Sequence, residues 1–289
     1  MNKIIVHEDL DGIASAALLV KATGIMKVIF SDELENVKSI KIGKDTIIAD
    51  LAYDERCDLW FDHHISHKTN KKFKGSFKLE KSCARVIYNY YQGNFSPYYK
   101  RLTNQLDKAD SGDFTKEDVE NDIPIFRLNF LLLLYQFKEK ERKDILKKIL
   151  GLMLNEIQIG EIIKDKKIAT YLNKYDNLIA KSLEIIKQKK EVVNKVLIID
   201  SSDKSRVFPL FQTYILYPEI NYLLIINKTK EKHEIGFLIV KNKFKDFNYV
   251  NIGRICKYYG GGGHKEIGGF RIYEKYKSKI LEEVTSKLS

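Results

Sequence analysis

Histidine and aspartate residues alternate near the amino terminus, in the run His7-Glu8-Asp9-Leu10-Asp11-Gly12. In an extended segment, side chains two residues apart point to the same side, so His7, Asp9 and Asp11 can converge where the preceding strand ends. One imidazole and two carboxylates suit a divalent cation such as Mn²⁺, and Zn²⁺ or Fe²⁺ less well. The same residues could instead form an acidic cap on the helix that follows, with His7 packed at the strand end.

A second polar cluster, Asp62-His63-His64, follows the strand-like run 58–61. Neighbouring side chains of an extended chain point to opposite sides, so one imidazole can bind a metal while the other faces a substrate. Asp50 ends another apolar run, and Asp110 lies in a further acidic segment, 107–113. A polar turn could explain each cluster alone, but so many carboxylates gathered at strand ends would repel one another without cations between them. Together the clusters predict a two-metal centre.

A third cluster combines four consecutive glycines, Gly260-Gly261-Gly262-Gly263, with His264 and Lys265. Glycines let the backbone approach an anion and turn N–H groups toward it, and the His-Lys pair adds side-chain donors. Arg254, six residues before the first glycine, could hold a phosphate bidentately. A flexible loop is the alternative interpretation of such a run, but the attached His-Lys pair and the strand-like segment 270–273 favour phosphate binding.

The elements that must position these clusters alternate along the first part of the chain. Short apolar runs predict strands, and small apolar residues after the first cluster predict a helix; the predicted strands are 3–6, 27–30, 46–49 and 58–61. Alternating strands and helices are typical of a doubly wound, mostly parallel sheet, and such sheets form their sites at the carboxyl ends of the strands. The His and Asp clusters stand at those ends.

The later part of the chain has a different pattern of apolar residues. Apolar residues recur at helical spacing through 116–190, and strand-like runs resume at 196–199, with a predicted hairpin of 222–226 and 235–240. The fold class predicted is therefore α/β. Its three parts are a doubly wound, mostly parallel catalytic core in 1–115, a helical connector in 116–190, and a smaller α/β substrate-binding domain in 191–289.

Composition excludes several classes of protein. The 289 residues include 50 Lys and Arg against 39 Asp and Glu, a net charge of +11 that lies mostly after residue 114. This excess is either a lysine-rich solvated surface or a face that attracts polyanions. No apolar run approaches the ~20 residues of a membrane span, and acidic residues from position 8 exclude a secretory signal. Three scattered cysteines form neither a disulfide framework nor a zinc knuckle, so we expect a cytoplasmic protein.

The three motifs, in this order, resemble those of the DHH phosphoesterase superfamily. The motifs are His-x-Asp-x-Asp-Gly near the start, Asp-His-His at 62–64 and Gly-Gly-Gly-His near the end. The last resembles the DHH-associated domain of the branch that contains RecJ-like and small-oligonucleotide-degrading enzymes. The resemblance covers nearly the whole chain and is weakest in the helical middle.

The resemblance implies a role for each matching residue. It implies two divalent ions, most often Mn²⁺, with Mg²⁺, Co²⁺ or Fe²⁺ as alternatives. His7 and Asp9 would hold one ion, Asp11 and His63 the other, and Asp50 and Asp110 would bridge or contact both. The implied catalytic residues are Asp62, which orients ligands, His63, and His64, which faces the scissile phosphate. The implied substrate-binding residues are Arg254, Gly261, Gly262, Gly263, His264 and Lys265. Asp107 is the alternative to Asp110, and the spacing of His7 from Asp9 is shorter than in some relatives.

The predicted function is a metal-dependent phosphodiesterase that hydrolyses short oligonucleotides or linear dinucleotides with a water activated by two metals. The family also acts on phosphoadenosine phosphate, cyclic dinucleotides and single-stranded DNA, so fold alone does not select the substrate. A pyrophosphatase or exopolyphosphatase, a cyclic-dinucleotide phosphodiesterase and a non-catalytic nucleic-acid-binding protein remain alternatives. The expected partner is the oligonucleotide or dinucleotide itself and no membrane, and self-association as a homodimer is left open.

Overall fold

The computed structural model describes residues 2–32, 41–189, 191–201, 208–229 and 231–288. The chain divides into two compact units. The first unit contains residues 1–114 and 121–175, and the second contains 115–120 and 176–289. Among the described residues, none of the helices combines the length and the apolar composition that a membrane span needs.

The first unit is built on a parallel sheet in the strand order β2-β1-β3-β4-β5. Its strands are β1 Lys3–His7, β2 Val28–Ser31, β3 Thr46–Ala49, β4 Leu59–Asp62 and β5 Gly75–Phe77. The β-branched run 4–6 of β1 is fully buried, and it pairs with β2 on one side and β3 on the other. Such continuous apolar strands are typical of a parallel sheet whose two faces are both covered.

Helices surround this sheet and complete the first unit. They are α1 Leu10–Thr23, α2 Cys83–Tyr90, α3 Pro97–Asp110, α5 Pro124–Leu134, α6 Glu139–Leu154, α7 Ile159–Ile162 and the first part of α8 Lys166–Lys189. The short α4, Lys116–Glu120, belongs to the second unit. Helix α1 is buried along most of its length, because small residues such as Ala14 and Ala17 let it pack closely against its neighbours.

The second unit contains a mixed sheet in the order β10-β11-β9-β8-β7-β6. Its strands are β6 Glu191–Val193, β7 Val196–Ser201, β8 Tyr222–Lys228, β9 Glu234–Lys241, β10 Gly262–Gly263 and β11 Ile267–Tyr273, and its further helices are α9 Leu210–Leu216, α10 Ile252–Tyr258 and α11 Lys277–Lys287. β7 and β8 are parallel, and the other pairs are antiparallel. Apolar clusters lie on both faces of this sheet.

The α/β fold class and the parallel sheet predicted for the first part of the chain are confirmed. The hairpin predicted from 222–226 and 235–240 is present as the antiparallel pair of β8 and β9. The segment 116–190, predicted as a connector, is helical, and its residues are divided between the two units, since 121–175 belong to the first. The three-part domain organisation stays a prediction.

Candidate metal centre

Three neighbouring strands of the first sheet deliver the polar residues to one edge. β1 ends at His7, β3 is followed directly by Asp50, and β4 ends at Asp62. Because β1, β3 and β4 are parallel neighbours, their carboxyl ends lie side by side. The site therefore forms where parallel α/β sheets place their functional residues.

The first group at this edge consists of His7, Asp9 and Asp50, whose ligand atoms lie within 4.8 Å of one another. The Nδ1 atom of His7 is 2.6 Å from Asp9 Oδ2 and 3.9 Å from Asp50 Oδ2. Asp9 also caps α1, since its Oδ1 accepts a 2.8 Å hydrogen bond from the amide of Gly12. A Cβ atom at Gly12 would lie 2.1 Å from the His7 carbonyl oxygen, so only glycine allows this tight turn.

The second group consists of Asp11, His63 and Asp110. The Nε2 atom of His63 lies 3.3 Å from Asp110 Oδ2, 3.8 Å from Asp11 Oδ2 and 3.6 Å from Asp50 Oδ1. Asp11 is held from the far side, because its carboxylate accepts hydrogen bonds from the first two amides of α2, at 2.6 and 2.9 Å. Asp50 thus lies beside both groups.

Three buried ligand atoms in this cluster lack hydrogen-bond partners among the described residues: Nε2 of His63 and both carboxylate oxygens of Asp50. The Nδ1 atom of His63 lies 3.2 Å from the carbonyl oxygen of Glu80. That contact places the ring proton on Nδ1 and leaves the Nε2 lone pair facing the carboxylates. Buried polar atoms are rarely left unsatisfied. The donor set, imidazole nitrogen and carboxylate oxygen, fits divalent metal ions.

The backbone and the electrostatics of the cluster both carry a cost in the metal-free protein. Asp50 has a φ of 59°, which a residue other than glycine adopts only when its surroundings hold it there. Burial and then the neighbouring carboxylates raise the pKa of Asp11 to about 8 and that of Asp110 to about 7, and they raise the pKa of Asp50 well above its ordinary value. Cations among these groups would remove the repulsion that adds to the effect of burial.

The two adjacent histidines have different environments. The side chain of His63 is 9% exposed and faces the carboxylates, whereas that of His64 is 42% exposed. The Nδ1 atom of His64 lies 2.9 Å from Asp62 Oδ1. A cleft of about 500 Å³ opens beside both imidazoles and Asp110, and the exposed Leu79 also lines it. His63 is therefore placed to hold a metal, and His64 to meet a ligand in the cleft.

A further histidine, His67, joins this network, and the sequence reasoning missed it. A short 3₁₀ turn over Ile65–His67 brings the His67 ring back toward the strand end, where Nδ1 lies 2.5 Å from Asp62 Oδ2. Asp62 is fully buried and also accepts hydrogen bonds from the amides of His63 and His64. Although burial raises it, these hydrogen bonds keep the pKa of Asp62 below its ordinary value. A third histidine five residues after Asp62 is the only signal that the sequence offers.

Replacing His67 by alanine should lower kcat about 10- to 100-fold, because Asp62 would lose a donor and hold His64 less firmly. In His67→Asn, the amide nitrogen of asparagine can take the position of Nδ1, so this variant should recover much of the loss. Steady-state kinetics at saturating Mn²⁺ test both variants. Equal activity of wild type and His67→Ala would show that His67 has no positioning role.

The sequence matches no family model and no curated protein. The structure, however, is similar to that of a pGpG-specific phosphodiesterase, PggH from Vibrio cholerae, with a TM-score of 0.83 and 23% identity over 99% of this chain and 98% of that one. It is also similar to the DHH domain of a member of a family of ribosomal proteins, with a TM-score of 0.60 and 14% identity over 99% of this chain and 87% of that one. The exonuclease RecJ bound to manganese gives a TM-score of 0.52 and 15% identity over 98% of this chain and 89% of that one. The chain has the fold of the DHH superfamily. The resemblance predicted from the three motifs is thereby confirmed at the level of the fold.

Within this DHH fold, the geometry separates Asp110 from Asp107. Asp110 lies at the end of α3 beside His63, whereas Asp107 is 2.6 Å from Arg85 Nη2 and accepts a 2.7 Å hydrogen bond from the hydroxyl of Ser82. Asp107 is therefore engaged in joining α3 to α2, and Asp110 is the residue of this pair that lies in the cluster.

Arg142 on α6 fixes the loop that carries His7 and Asp9. Its guanidinium donates to the Glu8 carboxylate at 2.8 Å, to the Glu8 carbonyl oxygen at 2.5 Å and to the Leu132 carbonyl oxygen at 3.1 Å. One side chain thus ties two helices to the metal-site loop. This role was not predicted from the sequence, because residue 142 is far from every motif.

Arg142→Met should weaken the apparent affinity for Mn²⁺ about 10- to 100-fold, since methionine keeps the apolar stem but leaves the loop untethered. Thermal unfolding at increasing Mn²⁺ concentrations measures the midpoint of the titration, which is the Mn²⁺ concentration that gives half of the full stabilisation. Lys143→Met is the matched control, because Lys143 is exposed and pairs with Glu139 one turn away, and it acts on Glu8 through its charge but makes no hydrogen bond to it among the described residues. An unchanged midpoint in Arg142→Met would contradict the positioning role.

The glycine cluster lies in the second unit, between α10 and β11. A Cβ atom at Gly261 would lie 2.1 Å from the Gly269 carbonyl oxygen, and one at Gly263 would lie 2.3 Å from Gly268 Cα. The amides of Gly260, Gly261 and His264 donate to main-chain carbonyls of Lys257, Cys256 and Ile267. Close backbone packing thus explains two of the glycines, and three amides of the run are already engaged.

The remaining predicted binding residues of this unit are exposed. Gly262 has open space around its Cα, and the Lys265 ammonium lies 4.7 Å from the centre of the Tyr249 ring. Arg254 is on α10, and its amide donates to the capping Asn251 side chain. The predicted binding of substrate phosphate by Arg254, Gly261, Gly262, Gly263, His264 and Lys265 stays a prediction.

Proposed function

We propose that this protein is a metal-dependent phosphoesterase that hydrolyses short linear oligonucleotides, with linear dinucleotides as its preferred class. One observation carries the proposal. Three buried ligand atoms without hydrogen-bond partners among the described residues, Nε2 of His63 and both oxygens of Asp50, lie within the two clusters of His and Asp side chains that could hold metal ions. A similar fold belongs to a pGpG-specific phosphodiesterase over nearly the full length of both chains, which favours a linear dinucleotide within this class.

The residues of the cluster have separate tasks in the proposed reaction. His7, Asp9 and Asp50 would hold one divalent ion, and Asp11, His63 and Asp110 the other, with Asp50 adjacent to both. When bound, divalent ions, for which we propose Mn²⁺, supply Lewis-acid activation of water and offset charge on the phosphodiester. Asp62 fixes the tautomer of His64 through Nδ1, which leaves Nε2 available to the leaving group in the cleft.

The cleft beside the cluster fits one end of a short nucleotide chain. Lys81, which forms an exposed ion pair with Asp113, contributes a cation, and Leu79, which is 65% exposed, contributes an apolar surface. Such a combination suits a phosphate joined to a sugar or base better than it suits free pyrophosphate. His64 lines this cleft, and its hydrogen bond to Asp62 raises its pKa.

The test is a Mn²⁺-dependent turnover assay over a graded panel. The panel contains pGpG, pApA, RNA and DNA of three to twelve nucleotides, a cyclic dinucleotide, and pyrophosphate. We expect the highest kcat/KM for the linear dinucleotides and a decline with length. Asp110→Asn should lose at least about 10²-fold in kcat, because it removes one charged ligand. Asp58→Asn should keep full activity, since Asp58 precedes β4 at the opposite edge and forms an exposed pair with Lys74.

The panel also separates the alternatives. Preferential cleavage of pyrophosphate, or of the cyclic dinucleotide, would replace the proposal by another reaction of the same metal site. If the protein binds oligonucleotides but does not hydrolyse them, and Asp110→Asn binds them equally well, the protein is a nucleic-acid-binding protein and the proposal is overturned.

A further inference from the structure

Three residues form a row across the sheet of the second unit. Asn227 on β8 pairs with Gly236 on β9, and Gly236 pairs in turn with Arg271 on β11. Directly paired residues of neighbouring strands project from the same face of a sheet. Because Gly236 has no side chain, the row leaves a gap between the carboxamide of Asn227 and the guanidinium of Arg271.

This gap is part of a cleft of about 390 Å³ that lies wholly within the second unit. The backbone of Gly260 and Gly261 forms another part of its wall. A Cβ atom at Gly236 would meet nothing closer than the Thr229 methyl group, at 3.7 Å. The fold does not require glycine at this position, because its φ is not in the left-handed region and the space is open. Packing therefore does not explain the glycine, and the absent side chain leaves room in the cleft.

Both ends of the row have unmet hydrogen-bonding capacity. The side-chain oxygen of Asn227 is buried and has no hydrogen-bond partner within the described part of the chain. Arg271 is exposed, and its guanidinium has no ion pair or hydrogen bond there either. A buried amide oxygen without a donor and a free guanidinium at the other end of one gap call for a ligand that can serve both.

The donors and acceptors that the two ends of the row need select the ligand. Two strand spacings separate the two backbones by about 9.5 Å, and a phosphate in this gap would offer only acceptor oxygens, which cannot donate to the unpartnered oxygen of Asn227. A flat heterocycle can span this distance when it has donors along one edge and acceptors along another. Guanine has N1–H and N2–H₂ donors that can donate to the Asn227 side-chain oxygen, and O6 and N7 acceptors that arginine binds bidentately. Adenine presents an amino donor where guanine has O6, so it would face the guanidinium with a donor.

We propose that the cleft between Asn227 and Arg271 is a base-recognition site that binds guanine in preference to adenine. That the bound base belongs to a nucleotide substrate rests on the proposed function. The proposal adds two specificity-determining residues, and it assigns Gly236 the task of keeping the site open.

Binding of mononucleotides to the full-length, metal-free protein tests the site without any turnover. In calorimetric titrations, GMP should bind at least about tenfold more tightly than AMP, the discrimination expected of one bidentate contact. Gly236→Val should abolish GMP binding with no loss of thermal stability, because a β-branched residue suits a strand and fills the gap. Arg271→Ala should bring GMP to the affinity of AMP, and Arg101→Ala, an exposed arginine of the first unit, should change nothing. Arg271→Ala keeps the test decisive if Gly236→Val unfolds.

Kinetics then separate this inference from the proposed function. In wild type, kcat/KM for pGpG should exceed that for pApA, and Arg271→Ala should remove this difference. Turnover of both dinucleotides at equal rates, with equal binding of GMP and AMP, would overturn the base site and leave the phosphoesterase intact. Selective GMP binding that Gly236→Val abolishes, without turnover of any dinucleotide, would support the base site and overturn the proposed function.

Discussion

Replacing Asp50 by asparagine should lower metal-dependent turnover by at least about 10³-fold while leaving the metal-free protein as stable as wild type or more so. Asp50 is 3% exposed, both of its oxygens lack hydrogen-bond partners among the described residues, and it lies beside both metal groups. Asparagine has the same shape and tolerates the left-handed φ of 59°. It removes the charge that two ions would share and, in the metal-free protein, it also removes the repulsion from Asp11 and Asp110.

Two measurements on Asp50→Asn check this separation of stability from function. Thermal unfolding in EDTA should show an unchanged or raised midpoint, and addition of Mn²⁺ should no longer raise it. The control is Asp58→Asn, which should keep both the turnover and the response to Mn²⁺. Retention of Mn²⁺ stabilisation in Asp50→Asn would place the ions elsewhere and contradict the assignment of this cluster.

Removing the metal should abolish activity and make the stability of the protein depend on pH in a defined direction. The folded pKa values of Asp11 and Asp110 are raised to about 8 and about 7, against an ordinary value of about 4 in the unfolded chain. A raised carboxyl pKa contributes stability that is complete below the unfolded pKa and is lost as the pH rises through the folded pKa. The raised pKa of His64 acts in the same direction. We therefore expect the metal-free protein to lose stability between pH 5 and pH 8.

Mn²⁺ should reverse this trend, because its binding displaces the same protons and so strengthens with pH. At 100 times its dissociation constant, the stabilisation should reach about 2.7 kcal/mol. Unfolding midpoints at pH 5.5, 6.5 and 7.5, with EDTA or with Mn²⁺, measure both effects on stability. Turnover is measured in parallel, first after chelation and then after Mn²⁺ is restored. Asp110→Asn should flatten the pH dependence in EDTA. A metal-free protein that becomes more stable from pH 5.5 to 7.5 would show that these carboxyls are ionised in the fold.

The amino-acid sequence by itself determined the kind of chemistry and the edge of the sheet where it resides. Apolar β-branched runs such as Ile4-Ile5-Val6 form buried parallel strands, and polar residues that follow such runs come to the carboxyl edge because parallel neighbours end side by side. The residue types His and Asp, at that edge, already indicated divalent metal ions. These inferences depend on local pattern and on the geometry of any parallel sheet, so they need no knowledge of packing.

Only the tertiary structure decided which residues meet. Asp107 and Asp110 are one helical turn apart, and nothing local distinguishes them; the pairing of Asp107 with Arg85 does. The tether from Arg142 to Glu8 joins positions 134 residues apart, and the row of Asn227, Gly236 and Arg271 exists only through strand register. Contacts between distant segments follow from how the helices and strands pack as a whole. No motif records them, because each partner taken alone is an ordinary polar residue or glycine.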